Sequence, residues 1–240
     1  MIPIFANNYS PNFSTNKRNI KNIKFIIIHY TGMKSEIKAI NRLTDDKSKV
    51  SCHYFIKKNG QIICMVPENY IAWHAGVSSW KKIKRLNNYS IGIEIQNSGH
   101  ISGLPNYKKI QINSLIKLCK FLKKKYNILP QNILGHSDIA YERKQDPGAK
   151  FPWHLLAKKN LSIWYKGNIK KLNKLRNIKI QKKQNIEFFK NLKKIGYKTA
   201  SNKKLRKLLI IAFQTKFRKE QINGKIDMEC LMISKKLNNT

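Results

Sequence analysis

Residues 23–30 carry the sequence IKFIIIHY, a short apolar run rich in β-branched residues that leads into a histidine. Such a run, followed by the turn signal Thr31-Gly32, is typical of a buried strand. The strand delivers His29 to its carboxyl end. This stretch therefore predicts a sheet with a chemically active side chain at one edge.

More strands are predicted on either side of a turn signal. Residues 51–57 and 61–66 are joined at Asn59-Gly60, which is typical of a two-residue hairpin. Residues 89–96, YSIGIEIQ, alternate in polarity, so three isoleucines point to one face while Gly92, Glu94 and Gln96 point to the other.

Helical spacing of apolar residues predicts an amphipathic helix over 107–127, with lysines on the remaining face and Pro130 beyond its end. A short strand over 132–135 then leads to His136, and an irregular stretch follows through Asp146. Strands interleaved with helices indicate an α/β domain over residues 1–165, with a mixed central β-sheet flanked by helices.

The composition changes after Tyr165. Residues 166–184 are rich in Lys and Asn and are predicted to form a basic linker or a loosely packed charged helix. Residues 185–240 show three helical patterns, the first closed by Gly196, the second capped by Ser201 and the third capped by Asp227. We expect a small C-terminal three-helix domain.

Charge is the most conspicuous feature of the composition, with 49 basic and 12 acidic residues and a net charge of +37. Lys, Ile and Asn fill 103 of the 240 positions, as an A/T-rich coding sequence would produce, and only seven basic residues are Arg. Arg is the usual choice for bidentate phosphate recognition. We therefore expect no dedicated nucleic-acid binding, although attraction to anionic polymers follows from the charge.

Other signals are weak. The four cysteines form no CxxC pair and are expected to be free, mostly buried thiols. The first twenty residues hold no apolar segment of the length of a secretory signal, and no run approaches the ~20 residues of a membrane span. Oligomeric state leaves no trace in the sequence.

His29, His136 and Asp146 form the most promising chemical set. Two imidazoles and a carboxylate, with a fourth position open to water, are typical ligands of a catalytic zinc ion. No compact HExxH-type motif brings them together. Spacing alone leaves open whether each histidine is a ligand or a structural residue.

Six blocks carry a family resemblance, and they follow one another in a consistent order over about 120 residues. They are IIIHYT (26–31), SCHYFI (51–56), AWHAG (72–76), YSIGIEI (89–95), GHSDIA (135–140) and KQDPG (144–148). Together they resemble the zinc-dependent N-acetylmuramoyl-L-alanine amidases, which are related to peptidoglycan-recognition proteins. The segments at 190–199, 209–217 and 222–231 resemble a peptidoglycan-binding module.

The resemblance implies a role for each matched residue. His29, His136 and Asp146 correspond to the ligands of one Zn²⁺ per chain, Glu94 to the residue that activates water, and Lys144 to the cation that stabilises the oxyanion. Hydrolysis of the amide between N-acetylmuramic acid and L-alanine, in peptidoglycan or muropeptides, is the implied reaction.

Substrate contacts are implied for the block that contains Trp73, His74 and Ala75, with a structural role as the alternative for His74. His53 is expected to orient the site or to pack, whereas His100 and His154 are expected at the surface. A non-catalytic peptidoglycan-binding protein is the alternative function, and it would be expected to lack a ligand. The wall-binding module favours the bacterial cell envelope or periplasm, with the cytoplasm as the alternative because no export signal is visible.

Overall fold

The computed structural model describes residues 3–5 and 8–239 of the chain. The strands in this part are β1 (Ile4–Phe5), β2 (Phe13–Ser14), β3 (Phe25–Tyr30), β4 (Tyr54–Ile56), β5 (Ile62–Cys64), β6 (Ile71–Ala72), β7 (Ser79–Trp80), β8 (Ile83–Lys84), β9 (Ser90–Ile95) and β10 (Ile133–Gly135). The helices are α1 (Glu36–Thr44), α2 (Lys109–Tyr126), α3 (His136–Ile139), α4 (Trp153–Lys158), α5 (Ile169–Asn173), α6 (Lys182–Ile195), α7 (Lys203–Phe217) and α8 (Met228–Leu237).

A six-stranded mixed sheet lies at the centre, in the order β1-β5-β4-β9-β3-β10. Strands β4, β9, β3 and β10 run parallel, whereas β5 is antiparallel to β4. Helices α2 and α4 pack on one face. The predicted α/β class with a mixed, helix-flanked sheet is confirmed.

The alternating strand behaves as its pattern predicts. Ile91, Ile93 and Ile95 of β9 are buried in the apolar cluster beneath α2, together with Ile26 and Ile28 of β3. Helix α2 contributes the residues that its spacing indicated, among them Ile112, Leu115, Cys119 and Leu122. The opposite face of β9 is left to Gly92 and Glu94.

The hairpin between β4 and β5 forms where it was predicted, but its loop has three residues rather than two. The Lys57 N–H donates to the Gln61 carbonyl at 2.9 Å, and the Gly60 N–H donates to the Lys57 carbonyl at 2.9 Å. Gly60 has φ +83°. A tight turn followed by a left-handed residue is the usual three-residue hairpin, and it places the glycine at the third position of the loop.

Residues 182–237 form three helices, as predicted. Asp227 caps α8, since its Oδ1 accepts from the Cys230 N–H at 2.9 Å. The cap of α7 is Asn202 rather than Ser201, because the helix begins one residue later and Asn202 Oδ1 accepts from the Leu205 N–H at 2.9 Å. A capping side chain accepts from the backbone N–H two or three residues ahead.

The stretch 166–184 contains α5, whose Leu172 is buried. The residues after α5 join the backbone of α8, since the Met228 N–H donates to the Ile178 carbonyl at 3.0 Å and the Glu229 N–H donates to the Leu175 carbonyl at 3.2 Å. This segment is therefore packed against the last helix along part of its length.

A continuous apolar cluster joins the sheet to the C-terminal helices. It runs from Phe25 and Ile27 of β3 to Phe188, Phe213 and Leu231 of α6, α7 and α8. The bridge between the two parts is tight at Trp80, whose ring packs edge-on against Tyr197 with centroids 4.9 Å apart. The Lys81 N–H also donates to the Gly196 carbonyl at 2.6 Å.

Two smaller predictions can be compared with the structure. All four cysteines are free, and Cys52, Cys119 and Cys230 are buried, as expected. Among the helices within residues 3–5 and 8–239, none combines the length and apolar character needed to cross a membrane.

Candidate metal and catalytic site

Strand register brings the predicted site together at one edge of the sheet. Ile28 of β3 pairs with Gly135 of β10, so the residues that follow them, His29 and His136, are neighbours. His29 pairs in turn with Glu94 of β9. Because β3, β9 and β10 are parallel, their carboxyl ends meet at this edge.

Three ligand atoms converge there. His29 Nδ1 lies 3.0 Å from His136 Nδ1 and 2.9 Å from Asp146 Oδ2, and His136 Nδ1 lies 3.1 Å from the same oxygen. All three side chains are buried. The sequence-predicted metal ligands are therefore in mutual contact, although 117 positions separate His29 from Asp146.

A chain of hydrogen bonds fixes the tautomer of His29. Ser90 Oγ donates to the Leu86 carbonyl at 2.6 Å, so it accepts from His74 Nε2 at 3.1 Å. His74 Nδ1 is then unprotonated and accepts from His29 Nε2 at 3.0 Å. In the neutral ring only one nitrogen carries a proton, so the Nδ1 of His29 presents a lone pair.

The same argument applies to His136. Its Nε2 lies 3.2 Å from the Ala75 carbonyl, which can only accept, so Nε2 carries the proton and Nδ1 does not. Two lone pairs and a carboxylate oxygen thus face one another with no proton among them. Such a set repels itself unless a cation binds, and imidazole nitrogens with a carboxylate are ligands that Zn²⁺ accepts. The residues present fit a zinc ion.

Burial and charge keep these groups in their metal-binding protonation states. Burial, reinforced by the neighbouring imidazole of His136, lowers the pKa of His29 to about 4, so the ring is neutral at neutral pH. Burial alone would raise the pKa of Asp146, but the adjacent imidazoles of His136 and His29 hold it well below its usual range.

Glu94 lies beside this set with an unpaired oxygen. Its Oε2 is buried and has no hydrogen-bond partner among the described residues. Burial, and next the negative charge of Asp146, raise the pKa of Glu94 to about 8, while Lys144 opposes that rise. A carboxyl group with a pKa near neutrality can both take and give a proton.

The site opens into a cleft of about 610 Å³. Glu94, Lys144, Trp73 and His74 line it. The cleft thus gathers the predicted catalytic residues and two of the three predicted substrate contacts. A volume of this order suits a ligand larger than a single sugar.

The predicted substrate contacts differ in what they offer. Trp73 is half-buried on the cleft wall and its Nε1–H donates to Ser14 Oγ at 3.4 Å. Both ring nitrogens of His74 are used within the protein, by His29 and Ser90. Ala75 is fully buried and meets His136 through its carbonyl.

Gly92 leaves space for the imidazole of His74, which lies behind His29. An added Cβ at Gly92 would lie only 2.6 Å from His74 Nδ1. His53 lies behind His74, with ring centroids 5.7 Å apart, and its Nδ1 accepts from the Gly92 N–H at 2.9 Å. His53 therefore packs and supports the site, whereas the exposed His100 and His154 lie outside the ligand set.

Sequence reasoning missed two contributors. Ser90 closes the hydrogen-bond chain behind His29, and its position in the YSIGIEI block was the available signal. Arg143 binds the carbonyls of Ala75 and Val77 at 2.5 and 2.8 Å and lines the cleft. Arg143 directly precedes the matched block at 144–148, and this position was the available sequence signal.

Comparisons with known proteins agree with this geometry. The family model described as N-acetylmuramoyl-L-alanine amidase matches residues 19–149. N-acetylmuramoyl-L-alanine amidase AmiD of Escherichia coli (strain K12) is 34% identical over 232 residues, covering 90% of this chain and 82% of the relative. 1,6-anhydro-N-acetylmuramyl-L-alanine amidase AmpD of Citrobacter freundii is 39% identical over 105 residues, covering 44% and 54%.

Solved structures extend the likeness beyond the matched family segment. AmiD from E. coli, in complex with the substrate anhydro-N-acetylmuramic acid-L-Ala-D-gamma-Glu-L-Lys, has a TM-score of 0.80 at 33% identity and covers 94% of this chain and 91% of its own. AmpDh3 from Pseudomonas aeruginosa, in complex with anhydromuramic pentapeptide, has a TM-score of 0.79 at 30% identity and covers 100% and 98%.

Proposed function

The chain belongs to the N-acetylmuramoyl-L-alanine amidase family, and we propose that it cleaves its amide with one zinc ion held by His29, His136 and Asp146. The bond is the one between the lactyl group of N-acetylmuramic acid and L-alanine. The observation that carries the zinc proposal is the proton-free trio of two Nδ1 lone pairs and one carboxylate oxygen within 3.1 Å. When bound, zinc would supply Lewis acidity, which polarises a carbonyl and acidifies water.

Glu94 is proposed to handle the proton. Its unpaired Oε2 borders the cleft next to the ligand set, where it can accept a proton from the attacking water. The same oxygen then donates that proton to the amide nitrogen as the C–N bond breaks, which releases a neutral amine. Its raised pKa favours both transfers near neutral pH.

Lys144 is proposed to stabilise the negative charge that develops on the carbonyl oxygen. It lines the cleft, and its charge acts on both Glu94 and His29. A fixed cation at the position where negative charge develops stabilises the transition state more than the ground state.

The proposed substrates are muropeptides, or peptidoglycan in which the lactyl amide is accessible to the cleft. The similar solved structures of AmiD and AmpDh3 contain anhydromuramic peptides. Arg42, Arg143 and Lys144 line this chain's cleft and would attract the carboxylates of a stem peptide. Trp73 offers an apolar face to the same ligand.

The C-terminal helices are proposed to attach the enzyme to the wall. A groove of about 810 Å³ lies between α6, α7 and the loop before α8, and it is bordered by Lys203, Lys204, Arg206, Lys207 and Lys225. Cations around a groove suit an anionic polymer that carries stem-peptide carboxylates. With this attachment, the proposed place of action is the bacterial cell envelope.

The test of this function is hydrolysis with controlled metal content. Purified protein is treated with chelator, reloaded with zinc, and given an anhydro-muropeptide or intact wall. We expect peptides with a free amino group on L-alanine from the zinc-loaded protein and none after chelation. A non-catalytic binding protein would retain wall and release no such peptide, and that result would overturn the proposal.

A further inference from the structure

A buried carboxylate lies two residues after the metal ligand His136. Asp138 is 1% exposed, and its two oxygens meet three donors. Oδ2 accepts from the Gly135 N–H at 2.8 Å and from Lys216 Nζ at 2.7 Å, and Oδ1 accepts from the Tyr197 hydroxyl at 2.6 Å. Two of the three donors therefore come from the C-terminal helical part.

The local contact of Asp138 holds the backbone on both sides of His136. Gly135 is the last residue of β10 and Asp138 lies in α3, so the carboxylate bridges the residues that flank the ligand. Helix α3 has only four residues, and so short a turn gains little stability from its own hydrogen bonds. The placement of His136 thus depends on the carboxylate of Asp138.

Asp138 depends in turn on its distant donors. Lys216 is 5% exposed, and its Nζ lies over the ring of Trp153 at 4.0 Å from the centroid. Burial lowers the pKa of Lys216, and the carboxylate of Asp138 opposes this shift. A buried charge that loses its partner is strongly destabilised, so each of the two side chains requires the other in order to stay in place.

We propose that Lys216 and Tyr197 are positioning residues for the metal ligand His136, acting through Asp138. The C-terminal helices then complete the metal site, in addition to any attachment to the wall. This inference rests on the proposed zinc site. Removing the donor of Lys216 or Tyr197 frees the carboxylate of Asp138 and loosens the turn at His136. Zinc binding is then weakened, whereas substrate binding by the zinc-loaded protein is unchanged.

The experiment measures zinc affinity of the full-length chain by competition with a coloured chelator. The variants are Lys216→Met and Tyr197→Phe. The matched control is Arg218→Met, which removes a buried cation two residues farther along the chain whose carboxylate partners, Asp227 and Glu229, both lie in the C-terminal part. Thermal unfolding is recorded for each metal-free protein.

We expect zinc affinity to fall about tenfold or more in Lys216→Met, and by a smaller factor in Tyr197→Phe, as happens when residues behind a metal ligand are changed. At saturating zinc, KM should match the wild type. Arg218→Met should lose thermal stability and keep its zinc affinity. If Lys216→Met fails to fold, the Tyr197→Phe result decides.

A double variant separates positioning from folding. Asp138→Asn with Lys216→Met removes both charges, so its stability should recover relative to Lys216→Met, whereas zinc affinity should stay low. Wild-type affinity in both Lys216→Met and Tyr197→Phe would overturn the inference while leaving the zinc site intact. Absence of zinc binding by the wild type would instead overturn the proposed function.

Discussion

The Nε2 atom of His29 lies 3.0 Å from the Nδ1 atom of His74, and this contact determines which nitrogen of His29 is left for a metal. His74 is itself oriented by Ser90, so each hydrogen bond of this chain is donated in the direction from His29 towards the Leu86 carbonyl. A residue outside the ligand set thereby controls the chemistry of one within it.

Replacing His74 with Ala should weaken zinc binding about 10- to 100-fold, because His29 loses the acceptor that keeps its proton on Nε2. The measurement is a competition titration with a chelator of known affinity. His154→Ala, which removes an exposed histidine, is the control and should bind zinc like the wild type. Unchanged affinity in His74→Ala would show that the tautomer of His29 is set by other means.

Replacing Glu94 with Gln should lower kcat by roughly 10²- to 10⁴-fold, because the amide can neither take the proton of water nor pass it on. Zinc content, measured by atomic emission, should remain near one ion per chain. His136→Ala should lose zinc as well as turnover. Appreciable turnover by Glu94→Gln would remove the proposed proton-transfer role.

Replacing Trp80 with Ala should lower the free energy of unfolding by about 3–5 kcal/mol, since its ring fills the contact between the sheet and the C-terminal helices. Gly196→Ala should destabilise the same contact, because Gly196 has φ +138° and a Cβ there would lie 2.5 Å from the Trp80 ring. Urea unfolding followed by fluorescence and circular dichroism should give one shared transition. Two separate transitions in the wild type would contradict this prediction.

The metal-free protein should lose stability as the pH falls from about 6.5 towards 4. His29 has a pKa of about 4 when folded, against 6.5 in an unfolded chain, so the unfolded state binds more protons in this window. The loss from His29 alone is about 3 kcal/mol. Urea midpoints at pH 7, 5.5 and 4.5 measure it, and His29→Gln should show a shallower pH dependence than the wild type.

Reversing charge at the C-terminal groove should weaken wall adsorption. Lys203→Glu with Lys207→Glu is expected to reduce co-sedimentation with purified wall and to flatten its salt dependence. The control is Lys117→Glu with Lys120→Glu, two exposed positions of α2. If both double variants lose adsorption equally, adsorption to the wall depends on the overall positive charge of the chain and not on the groove.

Much of the fold could be predicted because its signals are local. Alternation in 89–96 placed Glu94 opposite Ile93 and Ile95, and helical spacing located α2 within two residues. The candidate ligands could be picked out because strand ends and family blocks coincide at His29 and His136. Here the short-range pattern and the tertiary structure agree.

The missed features depend on contacts between distant positions or on a choice between adjacent residues. Lys216 looks like any of the other lysines in a very basic chain, yet 78 positions separate it from Asp138, its buried partner. The observed cap of α7 differs from the predicted one by one residue, because Ser201 and Asn202 are both suitable capping residues. Only the three-dimensional arrangement shows which partner each polar group finds.

Gly92 adds a rule for comparing related sequences. A hydrogen atom in place of a methyl group provides the space that the ring of His74 occupies. In a chain with this backbone, any larger residue at position 92 would clash with the imidazole of a histidine at position 74 and displace it. A histidine at position 74 should therefore be interpreted as supporting the metal site only when glycine accompanies it eighteen residues later.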